Sequence, residues 1–427
     1  MAYEFYLNMT NQVVTFGCRL NISESEIIKN ELDSSGVDDY IVFNSCSVTA
    51  EAERKLRQSI RKNRNLYPDK KIIVTGCAAQ IDPYKYQAMS EVDYVLGNIE
   101  KLDKTSYQHL REGNNVIVSD IMQIEESALH MINDFEGKAR AFVEIQNGCD
   151  HRCTFCIIPY GRGNNRSHTV AEIVNACNLL IEQGYCEIVF TGVDITDYGT
   201  NLPGKPKLGQ LVRRVLSLCP GLLRLRLSSV DVAEIDDELM DLIETEPRLM
   251  PHMHLSLQSG DDLILKRMKR RHNRKQVYDF CKDVRRVRPD CTFGADIITG
   301  FPTETDSMFQ NSFNLVKELN FTHLHVFPYS EREGTPAAKI PENKQVVKQI
   351  RKDRANKLRS LGERNLKFYK ESIVGKKLEC LVESEKTICS KEFLKLGYKS
   401  EFKQGDLINV LVKSYDDKND HFELELC

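Results

Sequence analysis

Short apolar runs alternate with longer stretches that carry their apolar residues at helical spacing, and the character of this alternation changes twice along the 427 residues. In the first segment, Val13–Phe16, Tyr40–Phe43 and Lys71–Val74 predict strands, with Tyr94–Leu96 and Val116–Val118 as two more. Ser23–Leu32 and Ala50–Leu66 predict helices, and Ser23 with Glu26 reads as a capping box. Strand–helix alternation of this kind predicts a parallel α/β sheet. In the second segment six runs predict strands: Ala141–Ile145, Glu187–Phe190, Leu222–Leu227, His252–Leu257, Thr292–Ile297 and His323–Phe327. Helical stretches such as Val170–Gln183 and Lys275–Arg288 separate them. A full eight-unit barrel takes about 250 residues, so this shorter segment predicts an open, partial (β/α)6 barrel.

The third segment opens with a basic helix, Lys344–Lys370, with Val347, Ile350, Leu358 and Leu361 at roughly helical spacing. It is expected to link the barrel to the last module, with Lys348, Arg351, Lys352 and Arg359 on a face in solvent. Beyond it, Leu378–Val382, Phe393–Leu396, Leu407–Val412 and Phe422–Leu426 predict a small β-barrel. The expected class is α/β, divided at residues 1–135, 136–370 and 371–427.

Composition narrows the function classes. Hydrophobic residues make up 41% and charged residues 28%, with Lys+Arg 59 against Asp+Glu 62, which excludes a disordered polyelectrolyte. No apolar run approaches the roughly 18–20 residues of a membrane helix. The opening MAYEFYLNMT lacks the pattern of a secretory signal. A soluble cytoplasmic protein with no membrane partner is expected. In a reducing compartment its 14 cysteines point to metal binding or catalysis before disulfides.

Three of them, Cys149, Cys153 and Cys156, sit in GCDHRCTFCIIPYGRG, directly after the first predicted barrel strand. That loop is on the ligand-binding face of a βα barrel. Three thiolates on one tight loop can converge on one inorganic cluster; a [4Fe-4S] cluster normally takes four, so three leave one iron open. Zinc competes, with His151 as a fourth ligand if it points inward.

Cys18, Cys46 and Cys77 share no tight spacing, yet each lies just past a predicted parallel strand: VVTFGC, YIVFNSC and IIVTGC. Neighbouring strand ends share one edge, where α/β sheets build ligand sites. Gly17, Ser45 and Gly76 precede them, small residues that leave room for a bulky ligand. A second cluster with an open iron is one reading; buried cysteines acting as small hydrophobes is the other. Cys177, Cys186 and Cys291 read as core residues.

The spacing at Cys149, Cys153 and Cys156, with Phe155 before the last cysteine, resembles the radical S-adenosylmethionine (SAM) superfamily. The resemblance implies that SAM chelates the open iron and is cleaved on reduction to a 5′-deoxyadenosyl radical. It also implies SAM contacts at Gly192 and Asp194 after the second barrel strand. Ser256 and Gln258 on the fourth, and Ile297 and Gly300 in GADIITGFPTE on the fifth, are implied likewise. In that last motif the Glu is one residue late.

Around the other triplet, FGCRLN, NSCSVT and TGCAAQ resemble the amino-terminal domain of the methylthiotransferases, as do HLSLQSGDDLILKRMKRRHNR and VFPYSEREGTPAA further on. This likeness covers essentially the whole chain, including a TRAM-like final module. It implies two [4Fe-4S] clusters, the second holding sulfur for transfer, and two SAM molecules per turnover. The implied partners are tRNA, through its anticodon arm, an unidentified electron donor and an unidentified sulfur source.

Three branches of the family modify isopentenyladenosine in tRNA, N6-threonylcarbamoyladenosine in tRNA, or an aspartate of a ribosomal protein. The isopentenyl branch typically reads Cys-Gln-Met-Asn at its first cysteine. Here Cys18-Arg19-Leu20-Asn21, and SSVDVAEI at 228–235, resemble the threonylcarbamoyl branch. A non-catalytic iron–sulfur RNA-binding or redox-sensing protein is the reading from another class. Arg54–Arg64, Lys266–Arg288 and Lys344–Lys370 form three basic patches that suit phosphates, whereas residues 372–427 carry nine Lys against eleven Asp and Glu. Within that module Tyr398, Phe402 and Tyr415 could stack on bases, with burial in the barrel the favoured reading for most aromatics there.

Overall fold

Asn44 lies level with Thr15 on one side and Thr75 on the other, and this register sets the first site. The computed structural model describes residues 11–110, 114–125, 129, 135, 137–399 and 401–427. The opening decapeptide lies outside them. Strands β1 (Gln12–Thr15), β2 (Tyr40–Ser45), β3 (Lys71–Gly76), β4 (Tyr94–Leu96) and β5 (Val116–Ile117) form one parallel sheet in sequence order. Side-chain alternation along β2 and β3 feeds two faces. Ile41, Phe43, Ile72 and Val74 pack with Leu56 and Ile60 of α2 (Ala50–Leu66). Val42 and Ile73 pack with Ile28 and Leu32 of α1 (Arg19–Ser34) and Tyr107 of α5 (Lys104–His109). Between β3 and β4 run α3 (Cys77–Ile81) and α4 (Pro83–Gln87).

Helix α1 corrects the expected capping box. It begins four residues before Ser23, with Cys18 at its N-cap and no side-chain cap. Ser23 is buried inside the helix and donates to the Phe142 carbonyl at 3.4 Å, across the junction with the barrel.

The barrel strands are β6 (Ala141–Asn147), β8 (Glu187–Gly192), β9 (Arg224–Leu227), β11 (His252–Gln258), β12 (Thr292–Thr299) and β13 (His323–Pro328). Two short strands were not anticipated: β7 (Arg166–Ser167), antiparallel to the end of β6, and β10 (Ser229–Val230), beside β11. β7 follows α6 (Ile158–Arg162), the short helix that ends the first cysteine loop. The two halves of the sheet meet at Leu225, whose amide and carbonyl bond Arg248 and Met250. Odd-numbered residues of β6, β11 and β12, such as Val143, Leu255 and Phe293, face the surrounding helices: α7 (Val170–Glu182), α8 (Leu208–Leu218), α9 (Asp237–Thr245), α11 (Arg274–Val287), α12 (Asp306–Glu318) and α13 (Lys348–Ser372). A further short helix, α10 (Asp262–Met268), follows β11. The lumen side is polar, carrying Glu187, Arg226, His252, His254 and Asp296.

Helix α13 is part of the barrel rather than a solvated link. Ala355, Leu358 and Leu361 enter the main core, and Gly362 lies so close to β13 that a Cβ there would stand 3.0 Å from Leu324. At its start the polarity departs from the sequence expectation, while Leu358 and Leu361 turn inward as expected. Arg351 is 6% exposed and donates to the Tyr329 and Val346 carbonyls, while Val347 is 64% exposed. Arg354 is also buried, against Glu304. Lys348 and Lys352 remain in solvent.

The final five-stranded antiparallel sheet orders as β16 (Lys395–Gly397), β15 (Thr387–Ser390), β14 (Lys377–Ser384), β17 (Leu407–Asp416) and β18 (His421–Leu426). β15 was not expected, and Phe393 falls before β16 rather than within a strand. Phe393 adopts φ +70° and turns its ring into the floor of the barrel. It stacks on His252 at 5.0 Å, with Arg226, Arg19 and Arg140 at 5.0, 5.6 and 5.7 Å from its centroid.

Candidate cluster sites and the barrel lumen

The first cysteine loop leaves β6 at Gly148, whose φ is +72° and where a Cβ would overlap the Asn164 carbonyl, so only glycine fits. The loop is pinned by Cys149 N to Gly163 O and by Thr154 to Met268, Arg267 and Ala337. Cys153 is buried, and Cys149 and Cys156 are half-buried. Burial pushes the Cys156 thiol up to about 12, and Cys149 rises further from burial, Asp194 and the other two cysteines. Two clustered thiols whose burial disfavours ionisation, beside a third, are a donor set that a cationic cluster satisfies.

His151 Nε2 lies 3.2 Å from Asp194 and 3.7 Å from Glu234, and it shares one group of ligand atoms within 4.8 Å with Cys149 and Asp194. Asp194 does reach the triplet, while Gly192 ends β8 beside Gln146. Asp194 Oδ2 is 4.0 Å from Cys149 Sγ, and Gln146 Oε1 accepts from the Val193 and Asp194 amides at 3.0 and 2.8 Å. Ser256 lies at the same rim, its carbonyl accepting from Arg270, which also donates to Cys153 Sγ at 3.5 Å. Gln258 holds φ +64° at the strand end, paired with Ile297. Ile297 and Gly300 are placed otherwise. The Ile297 side chain is in the helix-facing core, so only its backbone faces the rim. The Gly300 amide donates to Glu304 at 2.8 Å, and its Cα abuts Arg351 of α13. The late Glu therefore serves this turn and its ion pair with Arg354.

Cys18, Cys46 and Cys77 converge at the level strand ends. Gly17 and Gly76 make room for neighbouring loops rather than for a ligand. A Cβ on Gly17 would stand 2.8 Å from Cys46 Cβ, and one on Gly76 would stand 2.4 Å from the Ser45 backbone. Burial, then Cys77 and Cys18, push the Cys46 thiol up to about 12.

Arg162 was not singled out from the sequence, yet it joins the two triplets. It ends α6, six residues after Cys156, and donates to Cys77 Sγ at 3.1 Å and to Asn21 at 2.5 Å. It also pairs with Glu24, which takes Lys101 at 2.7 Å. Burial alone would raise the Glu24 carboxyl, but Arg162 and Lys101 hold it down to about 2. Arg270, Asp231 and His272 form a second unforeseen network, with Asp231 bonding both at 2.7 and 2.9 Å.

Lower in the lumen, Glu187 takes Arg140, Arg224 and Arg226 at 3.0, 3.4 and 3.1 Å. Burial would raise Glu187, yet these arginines hold it to about 2. His254 Nε2 and His325 Nδ1 both lie 3.1 Å from Asp296 Oδ1.

Among the described residues no helix is long and apolar enough to cross a membrane. The Radical SAM superfamily matches residues 143–316, and the family described as Uncharacterized protein family UPF0004 matches residues 10–97. The chain is 53% identical to the threonylcarbamoyladenosine tRNA methylthiotransferase MtaB of Rickettsia prowazekii, over 91% of each chain. It is 33% identical to the protein of that name from Aquifex aeolicus, over 93% of this chain and 98% of that one. The tRNA-2-methylthio-N(6)-dimethylallyladenosine synthase of Ehrlichia canis is 31% identical over 88% of each. Among solved structures, the radical SAM methyltransferase TsrM of Kitasatospora setae superposes with a TM-score of 0.57 at 14% identity, covering 77% of this chain and 76% of that one, a likeness of fold. Near-complete coverage at these identities, over a barrel whose first loop carries the cysteine triplet, shows that the chain belongs to the MtaB-type radical SAM tRNA methylthiotransferases.

Proposed function

We propose that this enzyme attaches a methylthio group to C2 of N6-threonylcarbamoyladenosine next to the anticodon of tRNA, using two [4Fe-4S] clusters and SAM. Cys149, Cys153 and Cys156 would hold the first cluster, and Cys18, Cys46 and Cys77 the second. The observation that carries the two-site reading is Arg162, which follows one triplet by six residues and touches a thiol of the other. Reduced and carrying SAM, the first cluster supplies radical chemistry, which an unactivated C2–H bond requires. The second, with one iron left open, supplies a place for the sulfur.

The chain's own residues do the positioning. Gly148 and the Thr154 contacts fix the first loop. Gly192, Asp194, Ser256 and Gln258 line the rim where SAM would lie, together with the backbone of Ile297. Arg162, Glu24 and Lys101 form a buried ionic seat for the second triplet. Phe393 closes the floor, so a polar lumen is kept from bulk water on that side. The threonylcarbamoyl substrate is favoured over isopentenyladenosine by the 53% relative of that name, against 31% for the dimethylallyladenosine synthase. The test is mass spectrometry of tRNA nucleosides from cells with and without this gene. Loss of 2-methylthio-N6-threonylcarbamoyladenosine is expected, and loss of the isopentenyl product alone would overturn the assignment.

A further inference from the structure

The floor of the lumen holds four guanidinium groups and too few carboxylates for them. Arg140, Arg224 and Arg226 share Glu187, and Arg140 and Arg224 also reach Glu383 and Glu379 at 2.6 and 2.9 Å. Asp296 is taken by His254 and His325. Arg19 enters from α1 and hangs over the Phe393 ring at 5.6 Å. Among the described residues it makes no hydrogen bond and no ion pair; Glu187 and Asp296 act on it only from longer range. A half-buried arginine facing other arginines is costly unless an anion joins it. Arg19 is also the first residue of a 16-residue helix with no side-chain cap, so that helix end adds its own preference for negative charge.

Its position says which anion. Arg19 follows Cys18 directly, so a group on its guanidinium lies one side chain's reach from the second thiol triplet. On the threonylcarbamoyladenosine reading, on which this step rests, C2 must approach that triplet. The N6 substituent ends in a carboxylate several bonds from C2, whereas an isopentenyl group is neutral and apolar. We infer that Arg19 is the specificity-determining residue that receives the threonyl carboxylate, its planar fork taking both oxygens. The lumen's excess positive charge is then neutralised by the substrate itself.

The experiment uses reconstituted holoenzyme and two anticodon stem-loop RNAs, one with N6-threonylcarbamoyladenosine and one with its methyl ester, which is nearly isosteric and uncharged. Wild type should prefer the acid by about 10- to 100-fold in kcat/KM, since a site built for a charged partner rejects an analogue lacking it. R19Q should lose that preference, the ratio falling to about one, and R19K should keep part of it. The ratio is internal to each preparation, so partial loss of a cluster lowers both rates and leaves it intact. If R19Q turns over too slowly, the ratio of dissociation constants gives the same comparison without chemistry. An unchanged ratio in R19Q, or no preference in wild type, overturns the role of Arg19. Failure of wild type to modify the acid, with modification of an isopentenyladenosine stem-loop, overturns the substrate reading instead.

Discussion

Replacing Phe393 with alanine removes the ring that seals the barrel floor. Truncating a fully buried Phe costs about 3–5 kcal/mol. This ring is half-buried, but it stacks on His252 and meets three guanidinium groups, contacts of about 0.5–1 kcal/mol each. The loss for F393A is then about 2–3 kcal/mol, felt at the junction between the last module and the barrel. Because φ here is +70°, a Cβ-bearing residue stores about 1 kcal/mol of backbone strain. F393G therefore recovers part of the loss, which sets it apart from an ordinary truncation. Hydrogen exchange is the suitable assay, since a multi-domain chain does not melt as one unit. The starts of β11 and β13 should lose protection in F393A and lose less in F393G. Equal protection in F393A and wild type would refute the idea that this ring holds the junction.

Changing Cys153 to Ala should remove iron from one site and abolish SAM cleavage, whereas Cys46 to Ala should spare SAM cleavage and abolish methylthio transfer; equal loss in both would indicate one shared site. Glu24 and Glu187 are held to about 2 from an ordinary 4.5, so they bind fewer protons folded than unfolded. Their contribution is complete above about pH 4.5 and drains as pH falls toward 2, by up to about 3 kcal/mol apiece; a denaturation midpoint flat from about pH 6 to 3 would contradict this. Replacing Lys348 and Lys352 with Gln should weaken tRNA binding and flatten its salt dependence by roughly one log unit per lost phosphate contact. Arg351 is excluded from that set by its burial, and unchanged affinity at low and moderate salt would leave α13 without a role in docking.

The α/β class and the six barrel strands were legible because their signals are local. A strand announces itself by its apolar run, and Cys149, Cys153 and Cys156 by spacing. Cys18, Cys46 and Cys77 became legible only after each was placed past a strand end. The basic helix was misread because local charge does not say which arginine turns inward. Arg351 is buried since Gly300, about fifty residues upstream, leaves room for it and the Tyr329 and Val346 carbonyls accept from it, and Arg354 is buried since the Glu304 carboxylate pairs it. Phe393 and Arg162 were invisible for the same reason: each acts on a segment far away in sequence. The Ser23–Glu26 pair fits a capping pattern, yet packing against β6 carries the helix past it.

Helix α6 has a consequence for how such enzymes can be recombined. It is one turn and a half long, and Gly161 backs onto the other domain so closely that a Cβ would stand 3.2 Å from Cys77 Cβ. A chimaera that grafts this amino-terminal sheet onto a relative's barrel would have to carry α6 with the graft. Otherwise Glu24 keeps only Lys101, and a buried carboxylate stripped of its guanidinium costs about 3–5 kcal/mol. The same short strut means that the two thiol triplets travel as one body. Admission of a bulky RNA must then be managed at the rim, by whatever surrounds the pair, and not by hinging one triplet away from the other.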